Sequence, residues 1–303
     1  MGCADGSARY FALPEAFGLW GDFNDFGRGM RGLIYRLCAC SLALLAGLCG
    51  TASAGTIQDD LGSQKGVTVT VGAEARLTPS YEGSNKYDWM ALPLFDIRPM
   101  GTAPRFHSPR DGFGITVYEN GKFTMGPVMF IEFARRSKNN VPLHGLEDVK
   151  TAYELGGFVE YWAFDWLRSH AELRKGFAGH HGTILDLALD VVVPVRGSLT
   201  FSAGPRMRIS DSSGNSRYFD ISASEAAASG LPAYNAGGGI RAIGAGTQVI
   251  KQWNPQWATH AFVEYDRLVG DAADSPLVQL RGNANQLTIG AGFAYSFDIP
   301  SNK

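Results

Sequence analysis

From Gly66 onward, apolar and polar residues alternate one for one: Val67, Val69, Val71, Ala73, Ala75 and Leu77 against Thr68, Thr70, Gly72, Glu74, Arg76 and Thr78. A period of two is that of a β-strand, because successive side chains point to opposite faces. Near the C-terminus Leu287, Ile289, Ala291, Phe293, Tyr295 and Phe297 alternate with Thr288, Gly290, Gly292, Ala294 and Ser296. The segment 199–209 sets Leu199, Phe201, Ala203, Met207 and Ile209 against Thr200, Ser202, Gly204, Arg206 and Arg208. Segments 123–136, 152–162, 167–175 and 184–193 read likewise, whereas 235–252 is glycine-rich and alternates poorly. Strands of about ten residues exceed the five or six usual in soluble sheets and match what crosses a bilayer at a tilt. Their polar faces carry Glu132, Glu154, Glu160, Arg168, Glu172, Arg174, Asp186 and Asp190. A closed barrel with an apolar outside and a polar inside accommodates both features and leaves no unpaired edge in lipid.

The turns support the same architecture. Short connections fall at Glu119-Asn120-Gly121-Lys122, around Phe164-Asp165, at Pro194-Val195-Arg196-Gly197 and at Asn254-Pro255-Gln256. Longer stretches, 137–148, 176–182, 211–234 and 269–285, fall between them, as external loops alternate with periplasmic turns in outer-membrane barrels. Tracing back from Glu119 requires a strand at 112–118, a brief one at 103–109, a turn at Pro99-Met100-Gly101, and strands at 87–98 and 66–78. The expectation is an all-β, closed antiparallel transmembrane β-barrel of about twelve strands with both termini periplasmic. Its weakest member is 103–109, because Pro104 and Pro109 disrupt pairing.

Composition narrows the class. The 303 residues are 45% hydrophobic and 18% charged with a formal net charge of −2, which fits neither disorder nor a basic nucleic-acid surface. Glycine is frequent, 38 residues against a usual ~7%, so backbones turn often or approach closely. Mean hydropathy is −0.08, and no segment of the body offers the roughly 20 successive apolar residues of a spanning helix. From Met30 a basic stretch with Arg31 and Arg36 leads into an apolar run, Leu37 to Gly50, and then Thr51-Ala52-Ser53-Ala54. That order is a signal peptide cleaved after Ala54. Leu37-Cys38-Ala39-Cys40 resembles an acylation box but has almost no apolar run before it. The expected organisation is 1–29 as an extension or mis-assigned start, 30–54 as signal peptide, and 55–303 as barrel. Cys3, Cys38, Cys40 and Cys49 would leave with the first 54 residues, so no disulfide or zinc framework is expected in the body.

Seven short motifs follow one another along the chain: Pro79-Ser80-Tyr81-Glu82-Gly83-Ser84, Leu92-Pro93, Gly126-Pro127, Gly145-Leu146-Glu147-Asp148-Val149, Gly179-His180-His181-Gly182, Ser229-Gly230-Leu231-Pro232-Ala233-Tyr234 and Asp271-Ala272-Ala273-Asp274-Ser275-Pro276. In this order, on a twelve-strand pattern, they resemble the MltA-interacting protein (MipA/OmpV) family over essentially all of 55–297. The resemblance implies an outer-membrane, lipid-embedded scaffold that brings a murein lytic transglycosylase together with a bifunctional penicillin-binding protein in peptidoglycan turnover. The alternatives are a small-solute porin or a surface adhesin. Tyr295-Ser296-Phe297 resembles the terminal aromatic signal read by the outer-membrane assembly machinery, although Asp298 to Lys303 follow it.

No catalytic, cofactor or metal site is expected. His180 and His181, flanked by Gly179 and Gly182, read as a tight turn at a strand top whose imidazoles meet solvent or the loop above, since a metal needs three or four ligands. Ser169, His170 and Glu172 cannot form a hydrolytic trio, because alternation puts Ser169 on the lipid face and the other two in the lumen. The lumen mixes Arg76, Arg136, Arg168, Arg174, Arg206 and Arg208 with Glu74, Glu132, Glu154, Glu172, Asp186 and Asp190, which favours a narrow or filled interior over a wide pore. Trp89, Trp162, Trp166, Trp253 and Trp257 fall at strand ends, as an interfacial girdle would place them. The loop motifs read chiefly as turn formers packing over the barrel mouth.

Overall fold

A computed structural model describes residues 66–301. The signal segment, residues 1–29 and all four cysteines lie outside the described residues. Among the described residues, twelve antiparallel strands form one sheet: β1 (Gly66–Pro79), β2 (Tyr87–Pro99), β3 (Phe113–Gly114), β4 (Tyr118–Glu119), β5 (Phe123–Glu132), β6 (Ala152–Phe164), β7 (Leu167–Ala178), β8 (Thr183–Arg196), β9 (Leu199–Ser210), β10 (Gly239–Gln252), β11 (Trp257–Leu268) and β12 (Asn285–Pro300). Neighbours follow the order β2-β1-β12-β11-β10-β9-β8-β7-β6-β5-β3, with β4 also on β5. The first and last of the described strands are neighbours in the sheet, where β1 pairs with β12 from Gly66↔Pro300 to Leu77↔Ile289.

Burial along the strands is inverted relative to a soluble sheet. On β7, Arg168 has 1% of its surface exposed while Leu173 has 55%. Trp89, Phe95, Ile97, Phe293 and Ile299 are likewise exposed. In water, burying charge while exposing large apolar side chains costs on both counts, so the outer face requires an apolar surrounding. A single sheet can bury one face only by curling over it, and the sheet is strongly curled with its charged face inside. Among the described residues no helix is long and apolar enough to cross a membrane.

One end carries tight turns, at Pro99–Thr102, Asn120–Lys122, Asp165–Trp166, Gly197–Ser198 and Trp253–Gln256, together with the start of β1 and the end of β12. The long connections, 80–86, 133–151, 211–238 and 269–284, gather at the other end. They hold two 3₁₀ turns (Ser137–Asn139 and Val141–Leu143) and four short helices: α1 (Ser212–Phe219), α2 (Ala223–Ser229), α3 (Gly270–Asp274) and α4 (Pro276–Arg281).

Three expectations need correction. The strand at 103–109 does not form: Pro104 and Pro109 supply no N–H for a ladder, and the polar residues around them find partners in the lumen instead. The strand at 112–118 survives as two two-residue pieces, β3 and β4, both on β5. Strand 123–136 stops at Glu132, so Arg136 is exposed outside the sheet and Arg135 is the buried one. Leu92-Pro93 and Gly126-Pro127 lie within strands β2 and β5, where the strands expected at 87–98 and 123–136 place them. Pro93 is accommodated on a strand with a single hydrogen-bonded neighbour, β1, where a missing donor is least harmful.

Counted as wall positions, β3 and β4 are pieces of one segment, 113–119, which makes eleven. Every step along the sheet is antiparallel. The two ends of an eleven-position alternating path must run the same way, so β2 and 113–119 are co-directional.

Candidate functional site

Period two on β6 to β9 delivers a column of charges to the concave face, where curvature brings them within bonding distance. Arg168 donates from Nε to Glu160 (2.6 Å), from Nη1 to Asp190 (3.0 Å) and from Nη2 to Asp111 (2.7 Å). Arg174 donates from Nε to Glu154 (2.8 Å), from Nη2 to Asp186 (2.5 Å), and from Nη1 to Glu172. Arg206 binds the second oxygen of Asp190 (2.6 Å), and Arg208 binds Asp186 (2.9 Å). Such charge-assisted, multiply bonded pairs are the form in which buried charge is tolerated. The histidines join the same network. His170 Nδ1 faces Arg168 Nη2 at 2.9 Å, so it accepts, and Nε2–H donates to Glu172 at 3.0 Å. His180 Nδ1 accepts from Gly182 N (3.1 Å), and its Nε2 donates to Glu154 (2.9 Å).

The lumen is crossed by the segment that sequence assigned to the wall. Phe106 lies under the Arg168 guanidinium (5.2 Å to the ring centre) and edge-on to Trp162 (6.5 Å). Ser108 Oγ accepts from Arg206 (3.1 Å). Arg110 grips both oxygens of Asp266 on β11 (2.8 and 2.9 Å) and lies 3.8 Å from Asp186 on β8. Asp111 meets Arg168 on β7, and Gly112 N donates to Glu172 (2.8 Å). One short peptide therefore bonds to β7, β9 and β11. Trp162, expected in the girdle, instead turns inward and donates to Glu160 (2.8 Å); Trp89, Trp166, Trp253 and Trp257 remain exposed.

Asp111, His170 and Glu172 present ligand-type atoms within 4.8 Å of one another. Guanidiniums already hold both carboxylates and the imidazole keeps its Nε2 proton, so protein partners satisfy the group. Ser169 points to the outer face, beside Val159, Tyr161 and Leu189, away from His170 and Glu172. From β5 to β11 the concave face carries eight carboxylates (Glu132, Glu154, Glu160, Glu172, Asp186, Asp190, Glu264 and Asp266) and four guanidiniums (Arg168, Arg174, Arg206 and Arg208). The wall alone is thus strongly acidic.

Over the loop end sits a second core. One cluster joins Val149, Tyr218, Phe219, Ala236, Ala242, Leu268, Ala272 and Val278; another joins Tyr81, Leu143, Leu146, Ile221, Leu231 and Leu277. Five of the seven motifs meet here. Pro79 ends β1, and Tyr81 and Ser84 are buried. Gly83, at φ +91°, donates to Gln286 (3.0 Å). Gly145 has φ +85° and passes so close to Ser229 that a Cβ would lie 2.5 Å from its backbone N; glycine is required there on both counts. Asp148 accepts from Ser137 N (2.6 Å) and Oγ (2.8 Å), and these bonds hold its carboxyl below the usual range. Gly179 N bonds Thr151 O (3.2 Å), and Gly182 packs directly on Gly214. His180 is buried edge-on against Tyr218, while His181 is exposed; only the first meets the loop above. Gly230 ends α2 in the left-handed conformation. Tyr234 Oη donates to Asp271 O (2.9 Å), Asp271 accepts from Gly237 N (2.5 Å), Ser275 Oγ donates to Phe219 O (2.7 Å), and Pro276 opens α4. At the opposite end Tyr295 and Phe297 stack on the outer face of β12 (6.2 Å).

A bulge at Ile240/Ala242 shifts Arg241 out of the alternation. Its guanidinium reaches Glu82 (Nε to Oε1, 2.8 Å) and covers the rings of Tyr218 (4.9 Å) and Phe219 (5.0 Å). Burial pushes the Tyr81 and Tyr218 phenols up and the Arg135 guanidinium down, and Arg135 donates to Tyr218 O (2.6 Å). The sequence did not single out Arg110, Asp111, Ser108 or Arg241, and it marked Glu82 only as part of a motif. The available signal for the first three was a polar stretch on either side of Pro109, unsuited to a strand.

Glu225 gives the cap a pH dependence. Partial burial raises its carboxyl, and hydrogen bonds from Glu147 N (2.9 Å), Ser222 N (2.9 Å) and Ser222 Oγ (2.7 Å) outweigh that, so the net shift is downward from 4.5. A depressed carboxyl contributes stability above its unfolded value and loses it as pH falls through the folded value. Protection of the α2 amides from hydrogen exchange is therefore expected to fall below about pH 4.5, and in Glu225→Gln that step should vanish.

The family described as MltA-interacting protein MipA matches residues 71–297. No curated protein matches. Similar solved structures include a NanC porin (9% identity, 76% of this chain and 98% of that one, TM-score 0.35). An outer membrane channel from Pseudomonas putida F1 is 11% identical over 79% of this chain and 100% of that one, with a TM-score of 0.38. The outer membrane channel DcaP of Acinetobacter baumannii is 9% identical over 76% of this chain and 96% of that one, with a TM-score of 0.36.

Proposed function

The chain belongs to the MltA-interacting protein MipA family, and from that premise we propose that it is a closed outer-membrane barrel without enzymatic activity. In this reading it serves as a scaffold for murein turnover, holding a lytic transglycosylase near a bifunctional penicillin-binding protein. The observation that carries the reading is the occupied interior: the segment 106–112 bonds to β7, β9 and β11 across the lumen, and a loop core lies over one mouth. A resting barrel so filled offers surfaces rather than a passage. The tight-turn end, where β1 starts and β12 ends, is the periplasmic end and supplies the partner contacts. The capped end faces outward, and its motif residues, from Pro79 to Pro276, maintain the cap rather than touch the enzymes.

The test is affinity purification from detergent-solubilised membranes. A lytic transglycosylase and a penicillin-binding protein should be enriched over an unrelated barrel used as bait, and equal recovery with both baits would sink the scaffold reading.

A further inference from the structure

The segment that fills the lumen also has a vacant place in the wall. β2 and 113–119 run the same way, so no antiparallel ladder can join them directly. A strand running opposite to both would pair with each and bring the wall to twelve alternating positions. Residues 103–109 have that direction, since they return from the tight turn after Pro99 to the start of β3. Extended, about seven residues reach roughly 23 Å, close to the ~25 Å apolar band of such barrels.

Two sets of interactions compete for this segment. Inside, Ser108–Arg206, Arg110–Asp266, Asp111–Arg168 and Gly112–Glu172 hold it. In the wall, backbone ladders would hold it, weakened at Pro104 and Pro109, which donate nothing. Each arrangement satisfies a different set of the same polar groups, as a two-state element requires. We infer that residues 103–112 form a removable plug, and that its movement from lumen to wall opens a passage preferring cations. This rests on the closed-barrel reading but not on the scaffold role. The preference follows from the wall, where carboxylates outnumber guanidiniums. Leaving also withdraws Arg110 from Asp266 and Asp186, which adds negative field to the opening.

The experiment records currents in planar bilayers across a KCl gradient. It compares purified wild type, a variant with Phe106–Gly112 replaced by Gly-Ser of equal length, and Arg110→Ala. Wild type should show rare, brief openings. The replacement should raise mean conductance about tenfold and move the reversal potential toward that of potassium, with Arg110→Ala in between. Gel migration before and after boiling verifies the barrel in each case. If the replacement does not fold, Arg110→Ala decides alone. Heat-modifiable variants as silent as wild type, or conducting with anion preference, overturn the plug. A wild type whose migration is unchanged by boiling would instead refute the barrel, and the plug with it.

Discussion

Arg168→Met is expected to cost the folded barrel about 3–5 kcal/mol, the usual penalty for removing one partner of a buried charge cluster. Arg168 bonds Glu160, Asp190 and Asp111 at once, and Asp190 is itself fully buried. Methionine fills similar volume but leaves the three carboxylates facing one another with Arg206 as the remaining cation on Asp190. The loss should appear as a lower urea midpoint for loss of the compact, heat-modifiable form. The mechanism makes a second demand. Adding Glu160→Gln and Asp111→Asn to Arg168→Met should restore much of the stability, because the penalty arises from uncompensated charge rather than from lost volume. A triple variant no more stable than the single one would show that Arg168 acts through packing, for instance on Phe106.

Phe219→Ala is expected to cost about 3–5 kcal/mol locally while leaving the barrel's heat-modifiable migration unchanged. The side chain is fully buried in the loop core, its ring lies under Arg241, and its carbonyl accepts from Ser275 Oγ. Deleting the ring removes apolar contact among α1, α3 and β10 together with the cation–π partner. Strand ladders are untouched, so the two layers should separate. Limited proteolysis should cleave 211–238 and 269–284 in the variant at protease levels that spare wild type, with the strands still protected. Loss of the heat-modifiable form together with the cap would show that cap and barrel fold as one cooperative unit.

These two expectations sit on different levels of legibility. The charges on β7 were readable as lumen-facing from alternation alone, because period two decides which face a residue occupies. Its partners were not: Arg168 reaches Asp111, 57 positions away, and Arg110 reaches Asp266, 156 positions away. The loop motifs were recognisable as a set, yet nothing local announced that Tyr81, Leu146, Leu231 and Leu277 would share one core. Sparse apolar residues in glycine-rich loops carry no period. Arg241 was hidden for a related reason, since a bulge breaks the phase that would have assigned it to a face.

By itself, then, the chain determined its long strands, the face that most of their side chains take, the alternation of tight turns with longer loops, and its family. Each depends on a repeat or a motif a few residues long, which backbone geometry converts directly into direction. Only the tertiary structure decided that 106–112 lies inside the lumen, that Arg135 rather than Arg136 is buried, and which carboxylate each guanidinium holds. Those outcomes weigh a ladder that two prolines weaken against ion pairs that exist only once distant strands have curled around the same space.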